Sequence, residues 1–241
     1  MEERLPEGAV ACSAVILDMD GLMLDSERMA RDAWRRALAD WGLVLPDGLY
    51  FQLIGREAAD TKSILARAYG PALPVEEAYA RKQRYLEEAM LRGGIPTKPG
   101  LHALLDFLDA RGIRKAVASS THRPLVIQKL RLTGLLGRFD VLVCGDEVRN
   151  GKPAPDVFLL AAERLGVRAG DCIVLEDSEA GIRAARAAGM TPILVPDLKP
   201  PSPEVAALAH RVFPSLEHVR EYLAALGEKE QSHGHHRPAT G

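Results

Sequence analysis

Cysteine is scarce in this sequence, with three residues in 241. Cys12, Cys144 and Cys172 are far apart, each stands beside an apolar run typical of a strand, and no CxxC pair suggests a zinc or redox site. We therefore expect three small core side chains in a reducing compartment, with no disulfide and no cysteine-bound metal.

A dominant charge and a long hydrophobic run are also missing. The chain has 31 basic and 33 acidic residues, and its formal net charge is −2. This balance provides no strong basic field, so we expect no nucleic acid and no membrane among the partners. Residues 1–8 lack a long apolar segment, and no later run approaches the length of a membrane span. The sequence predicts a soluble cytoplasmic protein, and a monomer is the simplest expectation.

Two carboxylates follow the first apolar run of the chain. Residues 14–17 are typical of a buried strand that stops at Asp18, and Asp20 and Gly21 come directly after it. If the extended backbone continues, side chains at i and i+2 face the same way. Mutual repulsion would then raise one of the two pKa values, leaving an ionised carboxylate beside one that can carry a proton. Gly21 would let a ligand approach the turn closely.

Two other interpretations of this stretch exist. A strand that ends in a solvated, aspartate-rich turn needs no function, and these residues alone leave that interpretation open. A calcium-binding EF-hand loop that starts at Asp18 would need Asp or Asn where Leu22 stands and Gly where Met23 stands. The spacing therefore argues against a calcium loop.

A helical block follows the first strand. From residue 26 the apolar period is 3.6, and further helices are predicted near 47–54, 57–69 and 75–91. No convincing strand occurs before the Gly- and Pro-rich segment 93–100, which is typical of a linker. This block is therefore predicted to be an inserted all-helical domain.

Downstream of residue 100, helices alternate with strands. The pattern predicts helices at 101–111, 124–132, 155–165, 179–188 and 216–226, and strands at 113–118, 140–144, 172–175 and 191–195. Such alternation indicates an α/β fold: a Rossmann-like three-layer α/β/α core around a parallel sheet, with ligands beyond the carboxyl ends of the strands. We expect this core to comprise 1–22 and 97–227, the helical insertion 23–96, and a disordered tail 228–241 that lacks apolar residues.

Hydroxyl groups and a lysine follow two of these later strands. Ser119, Ser120 and Thr121 come after 113–118 and lead into a helix N-terminus that can receive a phosphate. Capping of that helix by Ser120 or Thr121 is expected as well. Pro153 biases Lys152 toward an extended backbone, so Lys152 is a candidate anchor for phosphate charge, with a solvated surface lysine as the plainer alternative.

Glu176 and Asp177 follow strand 172–175, at the edge where Asp18 and Asp20 would lie. An N-cap formed by Asp177 or Ser178 is the alternative to a functional site. Carboxylates from separate strands that meet at one edge need positive charge to hold them together. Oxygen ligands without His or Cys suit Mg²⁺, which binds one or two carboxylates, waters and substrate phosphate.

Together these residues resemble the motifs of the haloacid dehalogenase (HAD) superfamily. The matching set is Asp18-x-Asp20-Gly21-x-x-x-Asp25-Ser26, then Ser119, then Lys152-Pro-x-Pro-Asp156, then Glu176-Asp177. The resemblance covers about residues 12–226. The helical block is similar to the helical (C1-type) cap of the β-phosphoglucomutase-like and phosphatase branch.

The resemblance implies a role for each matching residue. Asp18 would be the nucleophile that forms an aspartyl-phosphate, and Asp20 the general acid and base. Asp18, the backbone oxygen of Asp20, and Asp177 would hold Mg²⁺, with Glu176 as a nearby or additional ligand. The phosphoryl group would be bound by the following residues: Ser119, Ser120, Lys152 and Gly21.

Within this family a Mg²⁺-dependent phosphatase is the expected activity. Metal-free dehalogenases lack an acid equivalent to Asp20, and the mutases carry a cap histidine where this chain has Ala30. We expect a small phosphorylated substrate, a sugar phosphate or a nucleotide-like monophosphate. A phosphosugar mutase is one alternative, and a non-catalytic phosphate-binding or interaction protein on the same scaffold is another.

The cap is expected to determine specificity. Arg56, beside Gly55 in a cap loop, is the main candidate for a substrate contact, although a solvated arginine explains it equally well. Arg28 and Lys62 are weaker candidates. The hinges of the cap are predicted in 22–27 and 93–99, so that closure excludes water from the site.

Overall fold

A six-stranded parallel sheet forms the centre of the molecule, with the strand order β3-β2-β1-β4-β5-β6. This computed structural model describes residues 12–56 and 58–234, with side chains described up to residue 226. The strands are β1 Ala14–Leu17, β2 Arg114–Ala118, β3 Val141–Val143, β4 Cys172–Glu176, β5 Thr191–Leu194 and β6 Arg211–Val212. Because β1 lies between β2 and β4, it is buried along its whole length, as its uninterrupted apolar run predicts.

Helices cover both faces of the sheet. They are α1 Ser26–Ala39, α2 Asp47–Leu53, α3 Ala58–Tyr69, α4 Val75–Gly93, α5 Leu101–Ala110, α6 Arg123–Leu132, α7 Asp156–Leu165, α8 Glu179–Ala187, α9 Pro203–Leu208 and α10 Leu216–Gly234. Val15 and Leu17 pack with residues of α5, α6 and α10, whereas Ala14 and Ile16 pack with residues of α7 and α8. The alternation of side chains along β1 thus separates the two layers, and the predicted three-layer α/β/α fold is confirmed.

The four helices α1–α4 form their own apolar cluster. It contains Trp34, Leu38, Leu45, Tyr50, Leu53, Leu65, Leu73 and Ala78. The two chain segments that join these helices to the sheet pair with each other: Asp25 N donates to Pro96 O and Lys98 N donates to Met23 O, each at 2.8 Å. This pairing lies beside the predicted boundaries at 22/23 and 96/97; the division into domains and the hinge motion remain predictions.

The structure differs from the predicted elements near the C-terminus. The short α9 and the two-residue β6 were not predicted, because elements of this length carry too few residues for a periodic pattern. The prediction that the last helix stops at 226 and a disordered tail begins at 228 is wrong for 228–234, since α10 continues to Gly234. Residues 228–232 are mostly good helix formers, which can extend a helix without burying apolar area. The rest of the predicted tail, 235–241, lies outside the described residues.

Two further predictions concern cysteine and membranes. Cys144 and Cys172 are buried and Cys12 is half-buried. In the part of the chain that the structure describes, no helix combines the length and the apolar character that crossing a bilayer requires.

Candidate active site

Asp18 lies at the carboxyl end of the central strand, between two neighbouring strand ends. In the strand register Leu17 pairs with Val117 of β2 and with Leu175 of β4, which places Asp18 beside Ala118 and Glu176. The backbone is held there by the bond from Asp18 N to Leu175 O, 3.0 Å long. The residue is 8% exposed, so the solvated, aspartate-rich turn is excluded as an explanation of Asp18.

The side chain of Lys152 is 5% exposed, and its ammonium group contacts three elements. Its Nζ donates to Asp18 Oδ1 at 2.5 Å, to Glu176 Oε1 at 2.6 Å and to Ala118 O at 3.0 Å. Burial by itself would lower the pKa of this ammonium, but the charges of Asp18 and Glu176 outweigh burial and raise it above its usual value. The alternative of a solvated surface lysine is therefore wrong.

Glu176 is fully buried and both of its carboxylate oxygens have partners. Oε1 accepts from Lys152, and Oε2 accepts from Asp177 N at 3.1 Å, Ser178 N at 3.1 Å and Ser178 Oγ at 2.8 Å. Ser178 also caps α8, since its Oγ accepts from Gly181 N at 3.0 Å. The capping interpretation is thus correct for Ser178, while Glu176 fixes Lys152 and the turn after β4.

Asp177 lies directly against Gly21. A Cβ atom on Gly21 would be 2.2 Å from Asp177 Oδ2, and Gly21 has φ +87°, so only glycine fits this position. The sequence analysis predicted that a ligand approaches Gly21 closely, but the Asp177 carboxylate occupies the space next to it. A contact between Gly21 and phosphate remains a prediction. Burial, and then the charges of Glu176 and Asp18, hold the pKa of Asp177 well above its usual value.

Three carboxylates meet at this edge of the sheet. One oxygen each from Asp18, Glu176 and Asp177 lies within 4.8 Å of the others. Burial raises the pKa of Asp18 to about 7, with Lys152 opposing the rise and Glu176 adding to it. Burial is the main cause of both raised pKa values, and the like charges within the cluster add to it. A donor set of carboxylate oxygens alone, with no His or Cys, fits a hard divalent cation.

Asp20 has different partners from Asp18. Its Oδ1 accepts from Ser26 Oγ at 2.7 Å and from Lys129 Nζ at 2.5 Å, and its Oδ2 accepts from Thr121 Oγ1 at 2.9 Å. Burial would raise the pKa of Asp20, but the charge of Lys129 and the hydrogen bonds outweigh burial and lower it. The predicted divergence of the two pKa values is therefore present, with Asp18 as the raised member.

Neither Ser120 nor Thr121 caps the helix that follows β2, so that expectation is wrong. Helix α6 starts at Arg123, and its first N–H is bound by Asp146 Oδ1 at 2.9 Å. Thr121 instead uses its hydroxyl to bind Asp20. Ser119 is buried and its Oγ accepts from Thr121 N at 3.1 Å, whereas Ser120 is exposed.

The cap residues chosen from the sequence do not contact the acidic cluster in the described structure. Arg56 is 58% exposed and lies 4.0 Å from Asp60. Arg28 pairs with Asp25 and Asp197, and Lys62 pairs with Glu76. A substrate contact by Arg56 remains a prediction.

Sequence reasoning missed two groups near the site. The first is Lys129; the signal for it was a lysine on the same helical face as the buried Val126 and Leu130. The second is Glu27 in the cap, whose Oε2 accepts a hydrogen bond from Tyr50 OH at 2.9 Å. Burial raises the pKa of this glutamate, and the charge of Asp20 adds to the rise. Glu27 is thus a second carboxyl group, held by a cap tyrosine, on which the charge of Asp20 acts.

Comparison with known proteins agrees with this geometry. A family model described as haloacid dehalogenase-like hydrolase matches residues 12–189. "Phosphorylated carbohydrates phosphatase" of Thermotoga maritima is 34% identical over 181 residues, or 73% of this chain and 82% of the relative. "Probable pseudouridine-5'-phosphatase" of Drosophila melanogaster is 37% identical over 207 residues, or 83% of this chain and 88% of the relative.

A solved structure shows the same fold. The HAD family hydrolase from Deinococcus radiodurans R1, crystallised with bound phosphate and sodium, has a TM-score of 0.79 at 30% identity. The match covers 90% of this chain and 97% of that one. This chain therefore belongs to the haloacid dehalogenase-like hydrolases, in the branch that includes phosphatases and β-phosphoglucomutase-like proteins.

Proposed function

We propose that this protein is a Mg²⁺-dependent phosphatase that hydrolyses small phosphomonoesters, either sugar phosphates or nucleotide-like monophosphates, through an aspartyl-phosphate on Asp18. One observation carries the proposal: Lys152 joins Asp18 to Glu176 at a strand end where Asp177 completes a carboxylate cluster. The relatives named as phosphatases of carbohydrate and pseudouridine phosphates support the substrate class.

Asp18 and Asp177 are the best candidates to bind the cation, together with the backbone oxygen of Asp20. Among the described residues Asp177 receives no hydrogen bond on its carboxylate, and Asp18 receives one, on Oδ1. Glu176 already has partners on both oxygens, which makes it the weaker ligand. When bound, Mg²⁺ supplies positive charge that offsets repulsion between these carboxylates and a phosphate dianion.

In the first step Asp18 acts on the phosphorus atom. An oxygen of its carboxylate forms a bond to phosphorus as the bond from phosphorus to the leaving oxygen breaks. Against the effect of burial, Lys129 and the hydrogen bonds to Asp20 lower its pKa in the free protein, so Asp20 must take up a proton when the phosphate dianion binds beside it. It then gives this proton to the leaving oxygen, which departs as an alcohol. Lys152, together with Ser119 and Ser120, binds the phosphoryl oxygens and aligns the group.

In the second step water releases the phosphate. Asp20, now ionised, takes a proton from a water molecule whose oxygen bonds to phosphorus, and the bond from phosphorus to Asp18 breaks. The products are inorganic phosphate and free Asp18, with the proton again on Asp20. A mutase would transfer the phosphoryl group back to a sugar, and Ala30 offers no proton-carrying side chain for that transfer.

A panel of phosphorylated metabolites, assayed for phosphate release with Mg²⁺, tests the proposal. We expect turnover of sugar or nucleotide-like monophosphates by the wild-type protein, none by Asp18→Asn, and none in EDTA. Tight binding of these compounds without phosphate release would favour the non-catalytic alternative. Undiminished turnover by Asp18→Asn or in EDTA would refute the mechanism.

A further inference from the structure

Lys129 is a buried cation to which the mechanism above assigns no role. It lies in α6 with 9% of its side chain exposed, and Nζ is 2.5 Å from Asp20 Oδ1. Its helical neighbours Val126 and Leu130 are fully buried in the core. The aliphatic stem of the lysine therefore shares an apolar environment while its ammonium reaches the end of β1.

Three separate elements bind the carboxylate of Asp20. Ser26 is the first residue of α1, Thr121 lies in the turn after β2, and Lys129 comes from α6. Both carboxylate oxygens are used, and Lys129 is the charged donor of the three. Asp20 also lies outside the cluster of Asp18, Glu176 and Asp177.

We propose that Lys129 is a positioning residue that holds the Asp20 carboxylate apart from the acidic cluster, where it can reach the leaving oxygen of the substrate. This inference rests on the acid and base role proposed for Asp20. Since the neighbouring hydroxyls carry no charge, they cannot balance the Asp20 carboxylate against that of Asp18, two residues before it in the chain. Without Lys129 we expect Asp20 to turn away from its two hydroxyl partners, and proton transfer to lose its geometry.

Substrates with different leaving groups separate positioning from general stability. An aryl phosphate releases its phenolate without a proton, so its first step needs Asp18 and not the acid, whereas its second step still needs the base. For Lys129→Met we expect a burst of phenolate stoichiometric with enzyme, followed by turnover slowed roughly 10²-fold. With an alkyl phosphate, both phosphoenzyme formation and turnover should fall.

Lys115→Met is the matched control. Lys115 is also a buried lysine, 5% exposed and paired with Asp109, but it lies near the start of β2, away from the strand ends. We expect the ratio of the phosphoenzyme-formation rates with aryl and alkyl phosphates to be the same in Lys115→Met as in the wild type. Lys129→Arg keeps the charge and should recover part of the lost turnover. If Lys129→Met shows no burst of phenolate with the aryl phosphate, or if its rates with both substrates match the wild type, the positioning role is refuted.

A double variant keeps the test decisive if Lys129→Met folds poorly. Asp20→Asn combined with Lys129→Met leaves no unpaired charge. If Lys129 acts through Asp20, the turnover of this double variant should be within about twofold of the turnover of Asp20→Asn alone. A further loss comparable to that of Lys129→Met by itself would overturn the inference. Turnover by Asp18→Asn would instead refute the proposed function, so the two failures are distinguishable.

Discussion

Gly181 and Glu176 are packed so closely that a Cβ atom on Gly181 would lie 1.8 Å from Cδ of the Glu176 side chain. A glycine inside a helix normally costs stability, so its presence in α8 needs a reason. The reason is the fully buried carboxylate of Glu176, which must fit beneath the helix to reach Lys152. The absence of a side chain on Gly181 thus allows Glu176 to contact and hold Lys152, the candidate phosphate anchor.

Gly181→Ala should therefore be destabilising and nearly inactive. Helix propensity alone would favour alanine by about 1 kcal/mol, but overpacking a filled site costs about 1–3 kcal/mol, and displaced Glu176 would no longer hold Lys152. Urea unfolding and phosphate release measure the two effects. Gly48→Ala, in α2 with nothing within 4 Å, is the control and should lose neither stability nor activity. An active Gly181→Ala would show that Glu176 does not position Lys152.

Gly21→Ala should raise the Mg²⁺ concentration needed for half-maximal activity. The added Cβ would lie 2.2 Å from Oδ2 of Asp177, a proposed cation ligand, and would displace its carboxylate. Gly112→Ala is a matched control, because Gly112 also has a positive φ, +64°, but nothing lies within 4 Å of its Cβ position. Both variants should lose roughly 1–2 kcal/mol of stability from backbone strain. Equal Mg²⁺ requirements in the two variants would argue against Asp177 as a ligand.

Stability without a divalent cation should fall as pH rises from about 4 to about 7. Burial raises the pKa of Asp18 from 3.8 to about 7, and Asp177 shifts in the same direction. In this window these two carboxyl groups bind more protons in the folded state than in the unfolded state, and their contribution to the slope of the unfolding free energy with pH is negative. His210, whose pKa is lowered mainly by burial, contributes with the opposite sign, but it is one group against two.

Thermal melts in EDTA across this pH range measure the effect. Mg²⁺ should replace the protons, so its stabilisation should be larger at pH 8 than at pH 5. Asp18→Asn removes one of the two titrating groups and should flatten the EDTA curve. A wild-type melting temperature that rises from pH 4 to pH 7 in EDTA would contradict the prediction.

The sequence predicted most of the sheet and the acidic cluster for an identifiable reason. Fully buried parallel strands are apolar runs, and polar residues directly after them must lie at the carboxyl edge. Asp18 and Asp177 were found in this way, and Lys152 was found from the constraint that Pro153 places on the loop after the third strand, although the three residues are far apart in the chain. The family that these motifs resemble was confirmed by the comparisons.

Lys129 could not be found by the same reasoning, because a lysine in an amphipathic helix is usually exposed. Its position between the buried Val126 and Leu130 was the available signal. Capping of α6 was mispredicted for a related reason: the hydroxyl of Thr121 binds a residue from another element, Asp20, and local sequence contains no information on that partner. Contacts between elements distant in sequence were thus the part that local patterns missed.

Lys82 is expected to contribute to substrate binding from the cap. It lies in α4, where burial lowers its pKa to about 8 and the charge of Glu27 opposes that decrease. The charge of Asp20 opposes the decrease as well, so we expect the ammonium, which donates to Gln83 Oε1 at 3.3 Å, to lie near the site. Lys82→Met should raise KM for a sugar phosphate roughly 10-fold, the worth of one hydrogen bond to a charged group, and should change KM for a small aryl phosphate much less.

Lys62→Met changes another cap lysine, which pairs with Glu76, and is the control; it should leave both KM values unchanged. Equal effects of Lys82→Met on both substrates would mean that Lys82 contributes to the general charge of the site and does not contact the sugar.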